Sequence, residues 1–301
     1  MGIIQCIGNT PMTSIELNPN PKVKLYAKLE GNNPGGSIKD RIALYMIEAA
    51  EREGKLTRDK IILEATSGNT GIGLAMVASA KKYRVKLTMP ACVSIERRRI
   101  LEAFGAELIL SPPDEATDGA IRLAHKILSE DPGRYFMPNQ FDNEANVLAH
   151  YETTGQELIE QTEGRITHFI AGMGTTGTLM GVSRRLKEFN RDIKIIGVEP
   201  VLNHRIQGLK NMTESIRPKI FHPDRLDERY FVNDNEAFDT TRMLAIKEGI
   251  FAGMSSGAAM HIALRKSSEL KEGVIVVVLP DRGDRYLSTS LFTSVCAKCP
   301  P

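Results

Sequence analysis

The stretch Ile166-Thr167-His168-Phe169-Ile170-Ala171-Gly172-Met173-Gly174-Thr175-Thr176-Gly177-Thr178-Leu179 decides the fold class. A short β-branched run gives way to a glycine-rich turn, then to a helical pattern over 179–189. Strand, tight turn and helix in that order form the repeating unit of an α/β protein. Free backbone N–H groups at the turn add to the positive end of the helix dipole and make an anion site. Gly172, Gly174 and Gly177 also match G-x-G-x-x-G, and Glu199 follows about 20 residues later, as a dinucleotide-binding unit requires. The mid-chain position and the threonines count against that reading. Hydroxyls at Thr175, Thr176 and Thr178 suit a phosphate monoester with three terminal oxygens.

The same alternation runs outward in both directions. Strands are predicted over 23–29, 61–65, 85–89, 107–110, 166–171, 193–198 and 274–279. Helices are predicted over 40–52, 71–82, 96–104, 120–128, 147–160, 179–189 and 237–247. Most of the strands are continuous apolar runs, which suits strands buried on both faces of a parallel sheet. In such sheets ligands gather at the carboxyl ends of strands, against helix N-termini. The segments 66–71, 172–178 and 281–286 all fall there, and together they point to an enzyme. The stretch 200–223 is irregular and rich in Asn, Pro and Gly, as loops over active sites often are.

Bulk properties narrow the function classes. The chain has 301 residues, 42% of them hydrophobic and 25% charged, with a net charge of +2 from 39 basic and 37 acidic residues. Neither nucleic acid nor an anionic membrane is expected as a partner of so balanced a surface. Arg97-Arg98-Arg99, the one dense basic cluster, reads as a solvated helix face. The N-terminus lacks the basic and apolar regions of a signal peptide, and no apolar run is long enough to span a bilayer, so a cytoplasmic location is expected. Four cysteines are too few for a disulfide framework, and Cys296 and Cys299 read as part of a weakly ordered tail rather than as a metal site.

Three further loops carry chemistry. Asn33-Pro34-Gly35-Gly36-Ser37-Ile38-Lys39-Asp40-Arg41 turns sharply and sets Lys39 at a helix start. The dipole there disfavours an ammonium, lowers the pKa of the amine and favours a nucleophile or an imine. Thr66-Ser67-Gly68-Asn69-Thr70-Gly71 crowds hydroxyls, an amide and backbone donors at a strand-to-helix turn, enough to hold a carboxylate without a cation. Ser255 and Ser256 precede Gly257 and a helical run, and one of them is expected to be its N-cap.

Taken together, these segments resemble the cysteine synthase family of fold-type II pyridoxal-phosphate enzymes over nearly the whole chain. Gly8-Asn9-Thr10-Pro11 is similar to the family's N-terminal motif, Ser37 to Arg41 to its cofactor-lysine motif, and Thr66 to Gly71 to its substrate-carboxylate loop. Gly174 to Thr178 resembles its phosphate loop, and Arg285-Tyr286-Leu287-Ser288-Thr289 its closing motif. Glu96-Arg97-Arg98, Thr167-His168-Phe169, Met173 to Thr178, Glu248-Gly249-Ile250-Phe251 and Asp281-Arg282-Gly283-Asp284-Arg285-Tyr286 resemble the B type of the family.

The resemblance implies an α/β fold of two domains with mostly parallel twisted sheets and the cofactor, pyridoxal 5'-phosphate, in the cleft between them. Residues 35–142 would form a smaller mobile domain, and 1–34 with 143–301 a larger one that holds the cofactor phosphate. It implies a homodimer acting on small molecules. Lys39 would bind the cofactor covalently and act as general base. Gly174, Thr175, Thr176, Gly177 and Thr178 would hold the phosphate, Asn69 the ring oxygen, and Ser255 the pyridine nitrogen. Thr66, Ser67, Thr70 and Gln140 would bind the substrate carboxylate. A serine rather than a carboxylate at the pyridine nitrogen favours prompt elimination over transamination. The implied reaction is β-replacement on O-acetylserine by sulfide or thiosulfate through an aminoacrylate, giving L-cysteine or S-sulfocysteine. O-phosphoserine stays open as donor, because Lys210 is a basic residue where some relatives contact an anionic leaving group. A thiocarboxylate carrier stays open as acceptor within the family, and Pro280, standing where some B-type enzymes have a cysteine, leaves no acceptor preference to be built on that cysteine. Binding of serine acetyltransferase is left open. Cystathionine β-synthase and dehydratase chemistry share the lysine and the phosphate loop. A nicotinamide-dependent oxidoreductase and a silent homologue are the readings from other classes.

Overall fold

Apolar runs with little alternation build the two sheets of the protein. The computed structural model describes residues 2–66, 68–91, 93, 95–213 and 217–292. The strands are β1 (Met12–Ser14), β2 (Val23–Leu29), β3 (Ile61–Ala65), β4 (Arg84–Pro90), β5 (Glu107–Ser111), β6 (Tyr135–Phe136), β7 (His168–Gly172), β8 (Lys194–Pro200), β9 (Glu228–Val232) and β10 (Gly273–Leu279). The helices are α1 (Lys39–Arg52), α2 (Asn69–Lys81), α3 (Ile95–Ala103), α4 (Ala116–Glu130), α5 (Glu144–Ala149), α6 (Gly155–Gln161), α7 (Gly177–Phe189), α8 (Asp234–Glu248) and α9 (Met254–Glu269). One sheet has six strands in the order β1-β2-β10-β7-β8-β9, and the other four in the order β5-β4-β3-β6. Every pairing is parallel except β1 with β2. The expected α/β class with mostly parallel sheets is what forms.

Each sheet has its own core. Ile42, Met46, Leu74, Leu87 and Leu101 pack around the four-stranded sheet, while Ile196, Ile275, Val277, Met260 and Phe169 fill the faces of the six-stranded one. The strands missed in sequence are β1, β6 and β9. β9 alternates partly buried and exposed positions up to the buried Val232 because it is an edge strand, so it lacks the continuous apolar run of its neighbours. β6 has only two residues, too short for any periodicity. The predicted helix over 147–160 starts earlier and is interrupted by a π-helical turn at His150–Thr154 between α5 and α6. Such turns reorient side chains locally. No regular element forms among the described residues between β8 and Pro223, in line with the predicted irregular segment.

The start of α1 is fixed in three ways. The Ile38 N–H donates to Pro280 O at 2.9 Å, and Ser37 forms a β-bridge with Asp281. Helix α2 crosses close by, because a Cβ on Gly73 would lie only 2.9 Å from Lys39 O. The third tie is a buried ion cluster. Arg41 donates Nε and Nη2 to the two oxygens of Glu30, each at 2.8 Å, and Nη1 and Nη2 to Glu157 at 2.6 and 2.8 Å. Lys28 Nζ donates to the same Glu157 at 2.6 Å and to Thr10 O at 2.6 Å. Glu30 also accepts from the Thr10 hydroxyl, and Glu157 from the Asn9 N–H. The Gly8-to-Pro11 motif is thereby stitched to α1, α6 and β2.

Burial opposes ionisation of Glu157, yet the hydrogen bonds and charge of Arg41, with those of Lys28, hold its carboxyl down to about 2 from 4.5. A depressed carboxyl pKa stabilises the fold above the unfolded value and loses that contribution as pH falls through the folded value. Wild-type stability should therefore drop between pH 4.5 and about 2, by an amount on the order of 3 kcal/mol from this group. Urea denaturation across that range checks it, and Glu157→Gln should flatten that acid limb. Arg41→Met, which strands two buried carboxylates, should cost about 3–5 kcal/mol in the same measurement at neutral pH.

Candidate active site

Carboxyl ends of β3, β7 and β10 open onto one cleft between the two sheets. The turn after β3 leads into α2, whose N-cap is Gly68. Thr66 is buried there and its Oγ1 accepts from the Gly68 N–H at 3.3 Å. Thr70 Oγ1 donates to Gln140 Oε1 at 2.6 Å. Of the residues expected at a carboxylate, Thr70 and Gln140 are hydrogen-bonded to each other and Thr66 lies in the same strand-to-helix turn as Thr70, whereas Ser67 lies outside the described residues.

Beyond β7 lies the phosphate-type turn. Thr176 has φ +69° and is the N-cap of α7, with no side-chain cap for the leading N–H groups of that helix. Its buried Oγ1 has no hydrogen-bond partner. A Cβ on Gly174 would lie 2.7 Å from Gly208 O, so the irregular segment covers the turn, and Lys210 N–H donates to Met173 O at 2.8 Å. Thr178 Oγ1 meets His150 Nε2 at 3.2 Å. Burial, then the charges of Arg41 and Lys39, push the His150 pKa well below its ordinary value, so the ring is neutral. Glu199, the residue a dinucleotide reading requires, is fully buried, paired with Arg229, and accepts from the Met212 N–H at 3.0 Å. It is not free to hold a ribose, which removes the structural support for nicotinamide binding.

Lys39 is partly buried at the first position of α1. Burial lowers its pKa, while the charges of Asp281 and Glu30 act to raise it. Among the described residues no acid lies within ion-pair distance of its amine. Ser255 is buried in the first turn of α9, and its Oγ would be 3.7 Å from a Cβ on Gly208. Neither serine is the N-cap, contrary to the sequence expectation: the cap is Gly253, where a Cβ would strike Asp281 Oδ1 and the Tyr286 ring.

Asn69 has more partners than expected. Its Nδ2 donates to Asp281 Oδ2 at 2.7 Å, and its Oδ1 accepts from Arg285 Nη1. Arg285 also donates to Gly35 O, and Tyr286 OH donates to Asp281 Oδ2. One Nδ2 hydrogen of Asn69 remains for a ligand. Asp281 and Arg285 were legible only as parts of a motif. The arginine triplet is also more than a solvated face: Arg97 lies 5.4 Å from the Tyr286 ring centroid and Arg98 donates to Ala91 O. Lys210 Nζ sits 4.4 Å from the centroid of the Phe141 ring, next to Gln140, and burial lowers its pKa while Asp118 acts to raise it.

This chain matches the family model described as "Pyridoxal-phosphate dependent enzyme" over residues 3–281. The chain belongs to the cysteine synthase family of these enzymes. It is 46% identical over 300 residues to a cysteine synthase of Aquifex aeolicus, covering 97% of this chain and 92% of that one. It is 46% identical over 289 residues to cysteine synthase B of Salmonella typhimurium, covering 96% and 95%. The crystal structure of a cysteine synthase from Entamoeba histolytica superposes with a TM-score of 0.92 at 37% identity, covering 97% of this chain and 90% of that one.

The residues present fit the family's cofactor. The orphaned Thr176 hydroxyl and the α7 N–H groups are donors suited to a phosphate, and Lys39 is an amine held partly buried nearby. Thr176→Ala removes the donor and relaxes a left-handed backbone position. It should weaken pyridoxal-phosphate binding by roughly tenfold or more, the loss expected for a hydrogen bond to a charged group, with no loss of thermal stability. A titration followed by visible absorbance checks this.

Proposed function

We propose that the protein makes L-cysteine, or S-sulfocysteine, by replacing the β-substituent of O-acetylserine with sulfide or thiosulfate. One observation carries the reading. An amine of lowered pKa, Lys39, stands within electrostatic reach both of Asp281 and of His150, the partner of Thr178 in the turn after β7. Its helix start touches α2, which carries the carboxylate turn. The named relatives support the same chemistry.

Bound pyridoxal phosphate would supply the electron sink for charge developing at the substrate α-carbon. The protein supplies position and proton transfer. Gly174, Thr175, Thr176, Gly177 and Thr178 would hold the phosphate through N–H and O–H groups without a cation, and Ser255 would face the pyridine nitrogen. Asn69, kept in one orientation by Asp281 and Arg285, would donate its remaining N–H to the ring oxygen. Thr66, Ser67, Thr70 and Gln140 would bind the donor carboxylate. The Lys39 amine would take the α-proton as the β C–O bond breaks and acetate leaves, then return a proton to the same carbon once the C–S bond has formed.

O-phosphoserine is the second donor. The partly buried Lys210 amine beside Phe141 is a point charge suited to a phosphate leaving group. Residues 35–142, which carry the four-stranded sheet, would close as a unit over 1–34 and 143–301. A cytoplasmic homodimer is the working assembly. No helix among the described residues is long and apolar enough to cross a membrane.

Visible spectra test the reading. The protein incubated with pyridoxal phosphate should show an absorption band that O-acetylserine changes and sulfide restores, and Lys39→Ala should lack both responses. A protein that stays colourless would sink the proposal. Lys210→Met should lower the response to O-phosphoserine relative to O-acetylserine by about tenfold, the loss expected for a charged contact.

A further inference from the structure

A carboxylate inside a strand buried on both faces is unusual, and β3 contains one. Glu64 is 3% exposed. Among the described residues it has no cationic partner, and its two oxygens accept backbone N–H groups instead: Asn139 N at 2.8 Å and Gln140 N at 3.3 Å. Consecutive N–H groups converge on one anion only where the backbone turns, and Asn139 has φ +50°. Burial pushes the carboxyl up to about 7 against those two bonds. The fold retains a costly group here, and the group it organises is Gln140.

Gln140 is the centre of a chain that spans the cleft. Its side-chain oxygen accepts from Thr70 in the carboxylate turn at 2.6 Å. Its carbonyl accepts from Asn146 Nδ2 at 2.8 Å, and the same Nδ2 reaches Thr175 Oγ1 in the phosphate turn at 3.1 Å. Asn146 Oδ1 packs so tightly against Gly177 that a Cβ there would lie 1.9 Å from it. The backbone of Gln140 is therefore held at both ends, at its N–H by Glu64 from the strand side and at its C=O by Asn146 from the side of Thr175. A change in the backbone dihedrals of Gln140 would break these two bonds and carry its side chain away from Thr70.

We propose that Glu64 is a positioning residue for the substrate carboxylate: it clamps the Asn139–Gln140 peptide so that Gln140 and Thr70 present a single preformed face to the donor. This rests on the reading of Thr66, Thr70 and Gln140 as the carboxylate site. Glu64→Gln keeps the volume but turns one acceptor into an NH2 group facing a backbone N–H, which undoes the clamp.

The test uses the holoenzyme and two donors, O-acetylserine and its methyl ester, which lacks the carboxylate. In Glu64→Gln the KM for O-acetylserine should rise about tenfold, and its half-saturating concentration in the visible titration likewise. Half-saturation by the ester, kcat and affinity for pyridoxal phosphate should stay within about twofold. Glu64→Asp, which retains the charge with a shorter reach, should give a smaller rise of the same kind and serves where Glu64→Gln does not fold. Unchanged discrimination between acid and ester in the soluble variants overturns the proposal, as does a fall in kcat with KM unaltered. A wild-type enzyme that does not distinguish acid from ester would instead overturn the assignment of the carboxylate site itself.

Discussion

Arg41 gripping two buried carboxylates is the interaction on which the rest of the structure depends. Glu30 and Glu157 come from chain positions far apart, and neither could lie in the interior without a partner. The guanidinium satisfies both because its planar fork presents donors in two directions, a geometry that lysine lacks. Lys28 completes the charge balance. The cluster leaves the first turn of α1 with only one place to be, and Lys39 lies two residues before the fork. The Lys39 amine, proposed as the catalytic group, is thus positioned by this cluster together with the ties of Ile38 to Pro280 and Ser37 to Asp281.

The cleft follows a similar logic of ties made across the two sheets. Asn69 on α2 is locked by Asp281 and Arg285, which follow the last strand. Thr70 on the same helix is linked through Gln140 and Asn146 to Thr175. A relative movement of the two sheets would have to stretch both, so the shape of the cleft and the orientation of its ligating groups are coupled.

Among the described residues no Lys or Arg side chain hydrogen-bonds to the threonines of the turn after β7, although the charges of Arg41 and Lys39 reach His150 beside it. His150 is neutral, and the donors are hydroxyls and the start of α7. An anion bound there would be held by dipoles, and the Lys39 amine would be the nearby group whose protonation changes. That separation of duties suits the covalent binding and proton transfer proposed for Lys39.

The sequence by itself determined the α/β class, the seven principal strands and the turns at 66–71 and 172–178, because continuous apolar runs and glycine-rich strand-to-helix turns are local patterns. It also placed Lys39 at a helix start. β9 was not legible because edge strands alternate, and the π-turn at His150–Thr154 has no residue pattern of its own. Only the tertiary structure decided which polar residues serve each other. Glu64 stood in the open as a carboxylate within an apolar run, but its partners are backbone N–H groups about 75 residues away. Arg41, Glu157, Asp281 and Arg285 are charged residues that sequence alone would leave in solvent. Whether a charge is exposed or buried depends on the partner that meets it, and that partner is chosen by packing across the chain rather than by its neighbours along it.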